Sequence, residues 1–138
     1  MSRIHASNGD LVKEYSREYR IFIPHKDIPD ILKNAFISAE DKNFYKHFGV
    51  DPYGILRALV KNTSNLFSNK RPEGASTITQ QVAKNFLLTD ELSISRKIKE
   101  GLLALKIEQT LSKERIIELY INQIYLGSGT YGVAAASN

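Results

Sequence analysis

The chain has 138 residues, of which 42% are hydrophobic and 25% are charged, values typical of one globular domain with its own core. Lysine and arginine outnumber aspartate and glutamate by 19 to 15, so the formal charge of +4 suits an anionic partner: nucleic acid, a phospholipid surface or a phosphorylated substrate. The absence of cysteine excludes disulfides and thiolate metal sites, and the three histidines lack the spacing of metal ligands. No apolar run approaches the length of a membrane span, and the first residues lack a signal-peptide core.

The first part of the chain predicts a β lead-in over residues 1–26. Residues 4–23 read as two short strands around Asn8-Gly9-Asp10, a strong turn signal. We interpret this segment as a hairpin that braces the remainder of the domain.

A series of helices follows, each identified by its first residues and its apolar spacing. Their expected starts are Asp27 with Pro29, Asp51 with Pro52, Gly74 to Thr77, Ser93 and Ser112. The apolar positions are Ile55, Leu56, Leu59 and Val60; Ile78, Val82 and Phe86; Ile94, Ile98, Leu102 and Leu105; and Ile116, Ile117, Leu119 and Tyr120. Between the second and third helices, residues 62–73 are rich in Asn, Ser and Lys and predict a mobile loop, with lipid contact through Leu66 and Phe67 as the alternative.

Two adjacent carboxylates, Glu40 and Asp41, close the first helix. At the exit of an apolar helix they should be poorly solvated, which raises their proton affinity. A glutamate of this kind suits general-base catalysis near neutral pH. The alternative is an exposed acidic turn, although the negative end of the helix dipole disfavours carboxylates there.

The helix start at residues 74–77 predicts an anion site, because a glycine followed by Ser76 and Thr77 leaves backbone N–H groups unpaired. The spacing of a phosphate-binding Walker A loop is absent, and a simple Ser76 cap explains the same residues. Gln80, Gln81 and Lys84 add hydrogen-bond donors suited to a phosphate or a sugar.

The next helix carries Arg96 and Lys97 in its first turns, where cations oppose the helix dipole. Glu100 can pair with either cation. One interpretation is a surface ion pair that stabilises the helix by only about 0.3–0.5 kcal/mol, and the other is a phosphate clamp with a carboxylate beside it. A carboxylate base with clustered cations favours group transfer from a pyrophosphate ester over glycan hydrolysis, because a pyrophosphate leaving group needs charge neutralisation.

The sequence resembles the peptidoglycan glycosyltransferase (transglycosylase) domain, glycosyltransferase family 51, of class A penicillin-binding proteins and monofunctional transglycosylases. The resemblance extends from about Asn8 onward and rests on stretches that occur in the family's order. They are Glu40-Asp41-x-x-Phe44-x-x-His47-x-Gly49, Gly74-Ala75-Ser76-Thr77-Ile78-Thr79-Gln80-Gln81 with Lys84-Asn85, Arg96-Lys97-x-x-Glu100, and Lys113-Glu114-Arg115-Ile116-Ile117-Glu118-Leu119-Tyr120-Ile121-Asn122.

The resemblance implies a mainly α, lysozyme-like fold with a short N-terminal β hairpin and a mobile lobe near the membrane. It implies that lipid II is polymerised on undecaprenyl pyrophosphate, with Glu40 as the base and Glu100 as a second glutamate that assists or positions. The other implied site residues hold the pyrophosphate (Lys84, Arg96 and Lys97), line the donor groove (Ser76, Thr77, Gln80, Gln81 and Asn85) or support the base (Asp41, Phe44 and His47). The fourth stretch is mainly structural in the family.

Other implied properties concern ligands and location. No cofactor is required, although Mg²⁺ or Mn²⁺ could assist the pyrophosphate, and the partners are lipid II, undecaprenyl-pyrophosphate-linked glycan, the membrane surface and cell-wall synthesis proteins, with no nucleic acid. The expected location is the outer, periplasmic face of the bacterial cytoplasmic membrane, with the anchor outside this chain. The family domain continues past Asn138, so we expect a domain truncated at its C-terminus, and the basic residue that relatives often carry before Arg96 is missing from residues 89–92.

Two other functions stay open from the residues. A lysozyme-like glycan hydrolase would use Glu40 as an acid but would not need the clustered cations. A helical module that binds nucleic acid or anionic membrane without catalysis would need a long cationic stretch, and the 15 acidic residues leave none.

Overall fold

The computed structural model describes residues 2–8, 11–15, 19–65, 74–87, 93–127 and 129–136, and it is mainly helical. The helices are α1 (Asp30–Glu40), α2 (Pro52–Asn65), α3 (Ile78–Phe86), α4 (Ile94–Thr110), α5 (Lys113–Gln123) and α6 (Val133–Ala136). The strands are β1 (Ser2–His5), β2 (Leu11–Tyr15), β3 (Tyr19–Arg20), β4 (Tyr125–Gly127) and β5 (Thr130–Tyr131). This confirms the predicted fold class.

The hairpin predicted at the N-terminus is confirmed, because β1 and β2 pair antiparallel. The sequence did not predict a further strand, β3, outside this hairpin. It pairs parallel with β5 in a second sheet of order β3-β5-β4. The side-chain amide of Asn122 holds the next residues in place, accepting from the Ile23 N–H at 2.7 Å and donating to the Ile23 carbonyl at 2.8 Å.

The helix starts agree with the predicted caps at some positions and differ at others. Ser93 and Ser112 cap α4 and α5 as predicted, and Pro52 is the first residue of α2. The start predicted at Asp27 is wrong, because that residue ends a 3-10 turn and α1 begins at Asp30 without a side-chain cap. Residues 62–65 continue α2 instead of opening a loop, and residues 66–73 lie outside the described part of the chain.

The core forms where α3 packs against both α4 and α5. Ile78 and Val82 of α3 are fully buried as predicted, whereas Phe86 is 57% exposed. The predicted buried face of α4 is wrong. Its apolar residues are 41–83% exposed, and the face that packs inward carries different side chains. The exposed residues are Ile94, Ile98, Leu102 and Leu105, and the inward ones are Glu100, Ala104 and Ile107.

Close backbone contact explains which face of α4 turns inward. Gly49 has a φ of +90°, and a Cβ added there would lie 2.7 Å from the backbone carbonyl of Ala104. Only glycine permits both this conformation and this approach. The loop after α1 therefore lies directly on α4 at a small residue, and the larger apolar residues of α4 remain on its outer side.

Among the helices that the structure describes, none combines the length and the apolar character needed to cross a membrane.

Candidate active site

A cavity of about 750 Å³ lies where the end of α1, the start of α2, the segment before α3 and the first turns of α4 meet. This volume is within the usual range of small-molecule sites. Most of the site residues predicted from the sequence line it: Glu40, Asp41, Ser76, Thr77, Gln81, Lys84, Asn85, Arg96, Lys97 and Glu100. The folded chain therefore brings together residues that are up to 60 positions apart in the sequence.

Glu40 is the last residue of α1 and its side chain is exposed at the cavity wall. The Gln81 amide of α3 donates to its Oε2 at 2.8 Å. The expectation that Glu40 is poorly solvated is therefore wrong in this structure. Its position is set by an amide from the neighbouring helix and not by burial.

Asp41 is the carboxylate that is buried, at 6% exposure. His47 Nε2 donates to its Oδ2 at 2.9 Å, and the backbone N–H of Ile78 donates to the same oxygen at 3.0 Å. We assign the proton of His47 to Nε2, because Nδ1 accepts from the Gly49 N–H at 3.2 Å. The start of α3 therefore binds an anion, as the sequence suggested, but the anion is the side chain of Asp41.

A capping box also occupies the start of α3. Gln80 N–H donates to Thr77 Oγ1 at 3.1 Å, and Thr77 N–H donates to Gln80 Oε1 at 3.0 Å. Thr77 Oγ1 in turn donates to the Gly49 carbonyl at 2.6 Å. Thr77 is thus the cap in place of Ser76, and the N–H groups of Thr77, Ile78 and Gln80 are paired within the chain.

Three residues predicted to contact or support the substrate lie behind the cavity wall. Gln80 faces the interior through the capping box, and Phe44 and His47 are buried beneath Asp41. Lys113 of α5 supports this layer, donating to the His47 carbonyl at 2.8 Å while its Nζ lies 4.5 Å from the centre of the Phe44 ring. The structure thus places Gln80, Phe44 and His47 among buried groups, outside the lining of the cavity.

Lys84, Arg96 and Lys97 add cations to the same wall. Lys97 Nζ donates to Ser76 Oγ at 2.8 Å and pairs with Glu100, whose side chain is buried at 2% exposure. The alternative of an ordinary surface ion pair is wrong for this reason. Arg96 Nε is buried without a hydrogen-bond partner, and Lys84 is exposed without one among the residues described.

Asp51 is a cavity residue that the sequence did not single out as functional. Burial alone would raise its proton affinity, but hydrogen bonds from Asn43 and from the Gly54 and Tyr53 backbone outweigh burial and hold the pKa of Asp51 below its ordinary value. The Asn43 amide lies 2.9 Å from Asp51 Oδ2. Asp51 therefore contributes a fixed negative charge to the wall next to the start of α2.

Tyr120 is a second residue that sequence reasoning missed, since its apolar spacing on α5 predicted only a core position. It is buried at 3% exposure, yet it lines the cavity and its hydroxyl has no hydrogen-bond partner within the described chain. Burial, and then the charge of Glu40, raise the pKa of Tyr120. The signal available in the sequence was a polar hydroxyl, that of Tyr120, among the apolar residues of α5.

Across the described residues no group of three or more histidine, aspartate or glutamate side chains is arranged to hold a metal ion.

Two glutamates and several cations line one cavity, and comparison with known families identifies the family to which a chain with this cavity belongs. The transglycosylase family model matches residues 8–138, so the chain belongs to the transglycosylase family. The match begins at Asn8, the residue from which the motifs predicted the resemblance.

Its curated relatives include penicillin-binding proteins 1A. The chain is similar to the one from Rickettsia bellii, with 55% identity over 137 residues, which is 99% of this chain and 17% of that protein. It is 52% identical over 134 residues to the one from Neisseria gonorrhoeae and 51% identical over 134 residues to the one from Neisseria lactamica, in each case 97% of this chain and 16% of the relative. The chain thus spans 16–17% of the length of these relatives.

Proposed function

We propose that this chain carries the glycosyl-transfer site of a peptidoglycan glycosyltransferase that polymerises lipid II in cell-wall synthesis. Glu40 takes the proton from the 4-hydroxyl of the acceptor N-acetylglucosamine, and that oxygen attacks C1 of the donor N-acetylmuramic acid. The bond from C1 to the pyrophosphate breaks, undecaprenyl pyrophosphate leaves with the bonding electrons, and inversion at C1 gives a β-1,4 linkage.

The observation that carries this proposal is that Glu40 shares one cavity with Lys84, Arg96 and Lys97. A departing pyrophosphate gains negative charge, and cations already fixed at the wall stabilise that charge without reorganising. The buried, unpaired Nε of Arg96 supports an anionic ligand in particular, because leaving such a donor unsatisfied costs about 1–3 kcal/mol. A neutral glycan would leave this donor and Lys84 without an opposite charge.

Glu100 has a positioning role in this proposal. Its buried carboxylate pairs with Lys97, and the same ammonium group donates to Ser76. The pair fixes Lys97 at the wall, where it is 51% exposed on its side chain and able to meet a phosphate.

The proposed function also includes binding to an anionic membrane surface, which would supply the lipid-linked substrate. Leu56, Leu59 and Val60 of α2 are 59–63% exposed, and the cations Arg57 and Lys61 lie on the same helix. Apolar side chains flanked by cations are typical of helices that rest on anionic lipid.

Vesicle sedimentation tests this membrane contact. The protein should sediment with vesicles of anionic phospholipid, and Leu59→Asp should bind them several-fold more weakly. Equal binding by the two proteins would contradict the proposed contact between α2 and the membrane.

The test of the reaction is Glu40→Gln in the full-length protein, assayed with lipid II. Polymer formation should fall at least 100-fold, because a general base contributes about 10²–10⁴-fold. The glutamine still offers an oxygen to Gln81, so substrate binding should persist. Glu114→Gln is the matched control, since Glu114 is an exposed residue of α5 outside the cavity.

The products separate the competing functions. Polymer with release of undecaprenyl pyrophosphate supports transfer, whereas free reducing disaccharide, or shortening of a preformed glycan, would indicate a hydrolase. Full polymerising activity in Glu40→Gln would remove Glu40 from the base role. Loss of anion binding on neutralising Lys84 and Arg96, together with no effect of Glu40→Gln on any measured activity, would indicate a non-catalytic binding module.

A further inference from the structure

The hydroxyl of Tyr120 is a buried donor that the fold itself does not use. The Tyr120 ring belongs to the hydrophobic core and packs edge-on against Phe36, with 5.7 Å between the ring centres. Tyr120 is also one of the residues that line the cavity, and its buried hydroxyl has no partner among the described residues. A buried tyrosine hydroxyl normally finds a hydrogen-bond partner, and the lack of one costs about 1–3 kcal/mol.

Its position relative to Glu40 indicates what the partner would be. Phe36 and Glu40 are four residues apart on α1 and therefore lie on one face of that helix. The ring of Tyr120 rests on Phe36, and its hydroxyl is close enough to Glu40 for the carboxylate charge to raise its pKa. The two groups nevertheless make no direct hydrogen bond, although both residues belong to the wall of the same cavity.

The carboxylate of Glu40 has one oxygen that accepts no hydrogen bond from the described residues. Gln81 donates to Oε2 of Glu40, and Oε1 has no hydrogen-bond partner within the described ranges. A neutral phenol acts as a donor and a carboxylate acts as an acceptor. Together they fit a sugar, whose adjacent oxygens can accept from one group and donate to the other.

We propose that Tyr120 is a substrate-binding residue: its hydroxyl donates a hydrogen bond to an oxygen of the acceptor sugar while Glu40 accepts the proton of the reacting hydroxyl. This inference rests on the proposed function of Glu40 and adds a second contact to the same sugar. Tyr120 keeps its proton throughout, and only Glu40 gains one. The ring supports the fold, and the hydroxyl serves the ligand.

The test is Tyr120→Phe in the full-length protein, with melting temperature and the kinetics of lipid II polymerisation measured on the same samples. Removing a hydroxyl that has no partner in the fold should leave the melting temperature unchanged or raise it. The kcat/KM should fall about tenfold, in proportion to one lost hydrogen bond, and most of the change should lie in KM because the contact is made before the reaction. Tyr45→Phe is the control, because Tyr45 is exposed and lies outside the cavity wall.

The possible results are distinct. A wild-type kcat/KM in Tyr120→Phe would overturn the inference, and so would a melting temperature lowered by several degrees, which would indicate a structural hydroxyl. If the wild-type protein does not polymerise lipid II, or if Glu40→Gln is fully active, the proposed function itself has failed. Loss of activity in Glu40→Gln with no effect of Tyr120→Phe would reject only the role of Tyr120.

Discussion

The two sides of the cavity wall differ in how their polar groups are satisfied. Around the start of α3, the buried groups of Asp41, His47, Thr77 and Gln80 exchange hydrogen bonds with one another and with nearby backbone. On the cavity side, the described residues include a buried guanidinium nitrogen and a buried hydroxyl without partners. Since buried polar groups in folded proteins are nearly always paired, these two groups support the proposal that a ligand binds on this side.

Glu40 and Asp41 show this difference at two adjacent positions. Glu40 ends α1, and the backbone of Asp41 leaves the helical conformation with φ −155° and ψ 73°. Both residues line the cavity, but their environments differ: Glu40 is exposed, whereas Asp41 is 6% exposed and held by hydrogen bonds. At these two adjacent positions, the buried carboxylate of Asp41 stabilises the fold, and the exposed carboxylate of Glu40 is accessible from the cavity.

The largest expected effect is on the interior side. Asp41→Ala should lower the free energy of unfolding by roughly 3–5 kcal/mol, because it leaves His47 Nε2–H and the Ile78 N–H buried without an acceptor. Chemical denaturation followed by circular dichroism measures this loss. Asp27→Ala is the matched control, since Asp27 is exposed, and it should change stability by less than about 0.5 kcal/mol.

Equal stability of the two alanine variants would contradict the comparison. It would mean that the buried carboxylate contributes no more than an exposed one. Asp41→Asn sharpens the result, because asparagine keeps one acceptor oxygen and should lose less stability than alanine.

Local signals in the sequence were sufficient for much of this fold. Serine before an apolar run predicted the starts of α4 and α5, and proline after Asp51 predicted the start of α2, because caps act through neighbouring residues only. The ordered motifs also contain residues that the fold brings to one cavity, among them Glu40, Lys84 and Arg96.

Non-local contacts account for what the sequence did not predict. The inward face of α4 is chosen by the contact between Gly49 and Ala104, and helical periodicity carries no information about that contact. The pairing of β3 with β5 joins the two ends of the chain. Desolvation of Glu40 was predicted from an apolar helix exit, but the adjacent helix offers an amide and an open cavity at that point.

A smaller effect is expected on the cavity side, and it should appear in binding and not in stability. Lys84→Ala should raise the KM for lipid II roughly 10- to 100-fold, because a hydrogen bond to a charged group contributes about 1.5–3 kcal/mol. Its free energy of unfolding should change by less than about 0.5 kcal/mol, since the side chain is exposed and has no partner in the part of the chain described. Lys99→Ala is the control, because it removes the same charge from an exposed position of α4 outside the cavity.

Added salt and added inorganic pyrophosphate distinguish a specific contact from the overall charge. If Lys84 meets the pyrophosphate at the wall, pyrophosphate should inhibit the wild-type protein and the Lys99→Ala variant alike but inhibit Lys84→Ala more weakly. A loss that is equal in the two alanine variants and disappears at high salt would instead reflect long-range attraction, which ionic strength screens. In that case the cavity side of the wall would not contain the anion site, and the contrast between paired interior groups and unpaired cavity groups would lose its functional meaning.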